Sequence, residues 1–519
     1  MMQSRFAPNR RQSRLLGFLT LAVCALASPI PAALAEDAEA PRDEFFWLGE
    51  MNKATAVINT EEGLLDLSLA PSIAKALQTV IDDGSKQGAD RPRTVITFEP
   101  LLIEAGGQEV TLLHAGRSSQ DMHATYRAAI LRQDLLALAE QLHTTTRTLV
   151  DVARTNADTI VPNYTNGVAA QPNSYGHMLL GHAAGFLRDA ERLHEAYARI
   201  DRSPMGTTVL NGTSWPLDRE RMADYLGFAT IVDNAYDASQ ISSMEQPVEV
   251  SGVVTTIALH TGNFVEDVMT QYAQTRPWIL LEEGGGNTYV SSSMPQKRNP
   301  GLLNGTRSAA SNALTLAMGP IFQTHNITPG MSDPKDVADN SAMVEAVIDT
   351  LARLDRVLKA LKINPDRALQ ELNSDWTASQ ELADRLMREH GLPFREGHHF
   401  ASEIVTFARA NDMGPLDFPY AEAKRIYAET MAGTDHSEDL PLSEDAFRAT
   451  LDPVAIVKNR ATIGGPQPSE MTRMLAAADE ALLAQETWIE TRTTRIDDSL
   501  ERLDKDFQAL LTGSAEDKG

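Results

Sequence analysis

Cysteine is nearly absent from the sequence: 519 residues contain one, Cys24, in an N-terminal stretch with the marks of a removable leader. A chain with no cysteine pair has no disulfide scaffold, and its mature part has no thiol nucleophile and no thiolate metal site. Positive charge is scarce as well. Lys and Arg total 46 against 71 Asp and Glu, a formal charge of −25. A surface that acidic repels phosphate backbones, so no nucleic acid is expected as a partner. His-Glu-x-x-His, carboxylate clusters and phosphate-loop patterns are missing too, since Gly284 to Gly286 are not followed by Gly-Lys-Ser/Thr. Neither a metal nor any other cofactor is expected. Strand signals are few, the best being Thr94 to Phe98 and Glu109 to Leu113. What remains is an ordinary folded composition, 42% hydrophobic and 23% charged, long enough for two or three domains.

Residues 1–35 read as an export signal. Arg5, Arg10, Arg11 and Arg14 precede an apolar run from Leu15 to Ser28, and Ala33-Leu34-Ala35 fits a small-residue cleavage site. The apolar run is shorter than the roughly 20 residues of a spanning helix, and Pro29 and Pro31 end it. Cleavage into a bacterial periplasm is therefore expected, with no membrane span afterwards. A twin-arginine route through Arg10-Arg11, or a lipoprotein box ending at Cys24, ranks below plain export.

Past Glu36 the periodicity is helical. Between Ser119 and Asp158 there is neither Gly nor Pro, and Ala124, Ala128, Leu131, Leu135, Leu138, Leu142 and Leu149 recur at helical spacing. That is one face of a helix about 40 residues long. Further long helices are expected from about Ser174 to Ile200, through Val250 to Tyr272, after Pro300, and through Val344 to Leu361. Helices this long bury their stripes only against one another, so the expected fold is all-α with a central long-helix bundle. Three domains are expected after the leader: 36–118, the bundle at 119–378, and shorter helices at 379–511, followed by a tail at 512–519.

Function concentrates in the polar, glycine-bearing loops between such helices. In Gly284 to Gly301, three glycines make a mobile arm, three hydroxyls follow at Ser291, Ser292 and Ser293, and Lys297 and Asn299 stand just before a Pro that can open a helix. Hydroxyl, ammonium and amide at a helix start suit a carboxylate.

The order Ser291-Ser292-Ser293-Met294-Pro295-Gln296-Lys297-Arg298-Asn299-Pro300 resembles the G-S-S-x-M-P-x-K-x-N signature of the fumarase/aspartase superfamily, and its Gln-Lys pair is most similar to the argininosuccinate lyase branch. Other segments agree in order. His114 to Asp121 resembles H-T-G-R-S-R-N-D, and Pro162 to Pro172 resembles P-G-Y-T-H-L-Q-x-A-Q-P. Ser203 to Gly206 with Gly212 to Glu220 resembles S-P-L-G…G-T-T-F-P-I-D-R-E, and Pro393 to His398 resembles P-F-R-x-A-H.

The resemblance implies a three-domain fold, a homotetramer and active sites shared by three subunits. It implies an elimination: a proton leaves the carbon beside a carboxylate, and an amine leaves the next carbon to give fumarate. Ser291 would be the catalytic base. Ser118, Ser119, Gln120, Thr165, Asn166, Gln171, Ser292, Lys297 and Asn299 would bind the small dicarboxylate substrate.

The departures from the branch narrow the substrate. Asn166 stands where the branch has a proton-shuttling histidine, and an amide carries no proton at neutral pH. Either another group or water protonates the leaving amine, or the leaving group needs no acid, or activity is lost. Ser119 and Gln120 replace an Arg and an Asn, and Val290 replaces a glycine of the arm. The segment that holds arginine in the branch aligns Gly330, Lys335 and Ala338 with its Tyr, Gln and Lys. Housekeeping argininosuccinate cleavage is disfavoured, and a scavenged N-substituted aspartate or aminopolycarboxylate is expected instead. A carboxymuconate cycloisomerase-like enzyme and a non-catalytic binding protein on the lyase scaffold are the alternatives.

Overall fold

The computed structural model describes residues 41–513, so the leader with Cys24 and most of the tail lie outside the described residues. Three helices come first: α1 (Glu44–Glu61), α2 (Ala70–Gly84) and α3 (Val95–Gly106). The long helix α4 (Ser119–Thr155) follows, then α5 (Tyr175–Ile200), short α6 (Arg219–Tyr225), α7 (Ser242–Tyr272), α8 (Gly301–Thr324) and α9 (Val337–Ala360). The chain continues with α10 (Pro365–Ser374), α11 (Ser379–His390), α12 (Phe394–Ala410), α13 (Tyr420–Met431), α14 (Glu444–Leu451) and α15 (Pro453–Lys458). It closes with α16 (Pro468–Leu511).

The bundle is α4, α5, α7, α8 and α9. Leu135, Leu138, Leu142 and Leu149 of α4 are buried with Val250, Val254 and Ile257 of α7 and Val344, Val347, Leu351 and Leu354 of α9. Full burial of one such side chain stabilises by about 1.5–3 kcal/mol, and the shared apolar stripe fixes the helices side by side. Helices α4 and α9 run parallel. Ser341 donates to Asp134 at 2.7 Å, Thr145 to the Leu351 carbonyl at 3.2 Å and Thr148 to Asp355 at 2.6 Å, so positions about 207 apart stay level along their length.

Two sequence expectations fail. Residues 94–98 and 109–113 are not strands: they lie in α3 and in a 3-10 turn, Gln108–His114. Thr94 explains the first, because its hydroxyl accepts the Thr97 N–H and caps the helix. A short β-branched run carries no periodicity strong enough to outvote such a cap. The expectation of only shorter helices after 379 fails at α16, which has 44 residues. Helices α11 to α14 make a core of their own around Phe400, Phe418 and Phe447, whereas Leu482, Leu503 and Phe507 of α16 return to the main core. A buried ion pair helps to hold α16 there. Arg132 of α4, fully buried, donates to Asp201 at 3.0 Å, and Arg495 of α16 binds the same carboxylate.

Candidate active site

The signature segment lies between α7 and α8. Ile279–Leu281 pairs antiparallel with Leu361–Ile363, just past the end of α9, and the Glu282 N–H donates to the Ala360 carbonyl at 2.7 Å. Gly284, Gly285 and Gly286 then all adopt left-handed φ of 96°, 57° and 78°, a turn that a side chain would strain. Tyr289–Val290 pairs with Arg298–Asn299, so residues 291–297 form the tip of a small ribbon. Val290 fits this arrangement, since a β-branched residue favours the extended backbone that glycine leaves loose.

At the tip, the Ser291 hydroxyl oxygen accepts the backbone N–H of Ser293 at 3.4 Å and of Met294 at 3.2 Å. Two N–H groups aimed at one oxygen favour negative charge there. Ser292 and Lys297 are exposed, and Lys297 has no ion-pair partner among the described residues. Asn299 donates to the Tyr289 carbonyl at 3.3 Å, which closes the ribbon. Helix α8 begins at once behind it with no side-chain cap and no acidic residue in its first turn. Its dipole therefore faces the ribbon uncancelled, although the Leu302 N–H is already given to the Asn287 carbonyl at 3.0 Å.

The second segment is a hairpin that the sequence reading did not foresee. Strands β1 (Ile160–Thr165) and β2 (Val168–Ser174) pair antiparallel, with Asn166 and Gly167 as the two-residue turn at φ 53° and 76°. Asn-Gly between two pairing runs is the strongest short hairpin signal, and it was present in the sequence. Asn166, at the position of the branch histidine, is thus a left-handed turn residue, a conformation that Asn tolerates better than most. A register shift between Asn163 and Tyr164 re-aims the tip, and the Asn163 side chain accepts the Gln171 N–H at 3.0 Å. Thr165 and Asn166 are exposed. The Gln171 amide donates to Gln380 at 2.6 Å. Tyr164 bonds Glu371 of α10, and burial with that carboxylate raises its phenol well above the usual range.

The third segment opens α4 at its other end. Asp121, fully buried, accepts N–H groups from Ser118 at 2.8 Å and Met122 at 3.1 Å through one oxygen, and from Thr207 and Thr208 at 3.0 Å through the other. One carboxylate thereby joins two motifs 86 residues apart. Arg117 is buried beneath them, donating to Asn52 and Thr55 at 3.1 Å, and burial brings its guanidinium down to about 10. Ser118 caps the helix, leaving Ser119 half-buried and Gln120 exposed on its first turn.

These placements divide the candidates. The hairpin follows the C-terminal end of α4, and the signature ribbon follows the strand pair at the C-terminal end of α9, so Thr165, Asn166, Gln171, Ser291, Ser292, Lys297 and Asn299 share one end of the bundle. Ser118, Ser119 and Gln120 sit at the opposite end. Helix α4 has 37 residues, about 55 Å at 1.5 Å per residue. No four-carbon substrate spans that distance within one chain.

A family model described as lyase matches residues 35–314, and one described as argininosuccinate lyase C-terminal matches residues 376–458. The chain belongs to the fumarase/aspartase lyase superfamily, in its argininosuccinate lyase-like branch. That membership makes it a carbon–nitrogen lyase. It is similar to the argininosuccinate lyase of Methanoculleus marisnigri, 30% identical over 456 residues, covering 86% of this chain and 89% of that one. It is 27% identical over 468 residues to the argininosuccinate lyase of Methanosarcina acetivorans, covering 88% and 90%. Among solved structures its fold matches an EDDS lyase in complex with formate, at a TM-score of 0.80 and 23% identity over 92% of this chain and 97% of that one. A 3-carboxy-cis,cis-muconate lactonizing enzyme from Pseudomonas putida matches at 0.61 and 18% identity over 86% and 96%.

Proposed function

We propose that the protein eliminates an amine from an N-substituted aspartate to give fumarate, with Ser291 as the base, in a site assembled from several copies of the chain. The observation that carries the reading is the pair of backbone N–H groups on the Ser291 oxygen. A serine is a weak base unless its alkoxide is stabilised, and donors fixed before the reaction supply that stabilisation without reorganisation. Ser291 takes the proton from the carbon beside the carboxylate, and the C–H electron pair moves into that carboxylate, which becomes dianionic. Lys297, Asn299 and the start of α8 bind the developing charge. Collapse of the dianion forms the C=C bond and breaks the C–N bond.

Asn166 is compatible with this chemistry when the leaving nitrogen is a secondary amine. Such an amine is already an ammonium at neutral pH, so it departs as a neutral amine without a histidine to protonate it. The 55 Å between the two ends of α4 supports assembly from several copies, a homotetramer by family resemblance, with Ser119 and Gln120 of one copy facing the ribbon of another. The central helices offer a surface for this. Leu259 of α7 and Met318, Ile321 and Phe322 of α8 are exposed, with Phe322 at 70%. Export to the periplasm belongs to the same proposal and is checked by sequencing the N-terminus of the protein recovered from cells.

The test is fumarate release, followed by ultraviolet absorbance, from a panel of N-substituted aspartates. Turnover that Ser291→Ala abolishes is the expected result. No fumarate from any substrate, or a lactone product from a carboxymuconate, overturns the reading.

A further inference from the structure

The tip of the β1–β2 hairpin is held only at its neck. Thr165, Asn166, Gly167 and Val168 are exposed, and among the described residues no hydrogen bond from outside the hairpin reaches them. A two-stranded hairpin is marginally stable by itself, so its placement comes from what it is tied to. Each strand carries one tie: Tyr164 of β1 donates to Glu371 of α10, and Gln171 of β2 donates to Gln380 of α11 at 2.6 Å. The second joins two neutral amides, whereas the first sets a phenol on a half-buried carboxylate and is the stronger bond. It also falls where the register shift between Asn163 and Tyr164 interrupts the ladder and leaves the tip least constrained by its own strands.

Glu371 is the phenol's one anchor. The Trp278 indole and the Gln271 amide lie near it, both buried, but neither is aligned for a hydrogen bond with any described group. The carboxylate is itself fixed. Its second oxygen accepts from Arg367 at 3.4 Å, and Arg367 donates through Nε to the Arg276 carbonyl at 2.7 Å. The Asn364 N–H, ahead of α10, donates to the Trp278 carbonyl at 2.7 Å. Helix α10 thus grips residues 276–278, which lead into the strand at the root of the signature ribbon, and reaches the hairpin with Glu371. No sequence motif pointed to this residue, and it lies in the stretch 315–375 that neither family model matches.

We propose that Glu371 is a positioning residue: through Tyr164 it sets where the hairpin tip presents Thr165 to the substrate. The proposal rests on the elimination reading above and deepens it by a residue that acts through its neighbour and need not touch the reacting atoms.

The experiment follows fumarate release by Glu371→Ala, Tyr164→Phe and Glu371→Gln, each alone and combined with Thr165→Ala, with circular dichroism giving the folded amount of every preparation. With Thr165 present, Glu371→Ala and Tyr164→Phe are each expected to lower kcat/KM by about tenfold or more, since a misplacement of about 1 Å can cost about 100-fold. Glu371→Gln keeps an acceptor for the phenol and should stay within about threefold of wild type. On Thr165→Ala, itself slow, Glu371→Ala and Tyr164→Phe should cost less than about twofold more, because the group they position is gone. A merely structural loss would lower both backgrounds alike. Equal losses in the two backgrounds, unchanged rates in Glu371→Ala and Tyr164→Phe, a Glu371→Gln enzyme as slow as Glu371→Ala, or a Thr165→Ala enzyme as fast as wild type overturns the proposal while elimination stands. No fumarate from wild type with any N-substituted aspartate overturns both.

Discussion

The two ends of the bundle satisfy their polar groups in opposite ways. At the Ser118 end the key polar side chains are buried on fixed partners: Asp121 accepts four N–H groups, and Arg117 donates to Asn52 and Thr55. At the Ser291 end, Ser292, Lys297 and Thr165 are exposed, the hydrogen bonds of the Ser291 hydroxyl and the Asn299 amide stay within one ribbon, and three left-handed glycines lead into it. On the function proposed above, one end holds shape while the other closes over the ligand, a division that would let a loop move without disturbing the packing behind it.

The comparison is tested most severely by Ser291→Ala. General bases contribute about 10²–10⁴-fold, so kcat should fall by roughly 10³-fold. The denaturation midpoint should not move, because the lost hydroxyl bonds only its own loop. A variant that keeps kcat, or that loses stability instead, would show that the mobile end is not where the chemistry occurs.

Asp121→Ala is the mirror experiment at the rigid end. Four backbone donors lose their acceptor, and the cost is expected to be roughly 3 kcal/mol, since unmet buried donors lose more than a surface contact would. Urea denaturation measures it, and a loss below about 1 kcal/mol would mean that solvent reaches these amides.

Asp134 sharpens the same contrast through pH. Burial pushes its carboxyl up to about 6 from an ordinary value of 3.8. The folded protein therefore holds a proton that the unfolded chain releases over this window. Its stabilising contribution is full below about 4 and is lost as pH rises through about 6. The loss is roughly 2 kcal/mol once residual solvent is allowed for. Asp134→Asn should flatten the stability profile between those pH values, and an unchanged profile would mean that the carboxyl is well hydrated.

The long helices were legible in the sequence because α4, α5, α7, α8 and α9 carry apolar stripes over many turns, and α4 and α9 contain neither Gly nor Pro. The signature segment was legible because its order of hydroxyls, Lys and Asn is unusual. What escaped was set by single contacts. The Thr94 cap decided helix over strand for residues 95–106, and no periodicity encodes such a bond. The length of α16 was written in the absence of Gly and Pro between Ser469 and Thr512, a cue as plain as that of α4.

Asn166 tests whether a catalytic position can be surrendered to the backbone. Its φ of 53° and that of Gly167 at 76° are the two-residue turn that β1 and β2 require. Asn166→Ala keeps the Cβ but loses the amide that lets Asn tolerate the left-handed region, at a cost of about 1 kcal/mol, with the loss confined to the hairpin and read as faster amide exchange in residues 160–174. Asn166→Gly should keep the turn. Asn166→His should keep it as well, because histidine also visits this region, and it restores a proton carrier at the hairpin tip. If the leaving amine carries its own proton, that carrier changes kcat less than about threefold, a smaller effect than the 10²–10⁴-fold of a working general acid. A large gain in Asn166→His would instead place the missing acid at the hairpin tip.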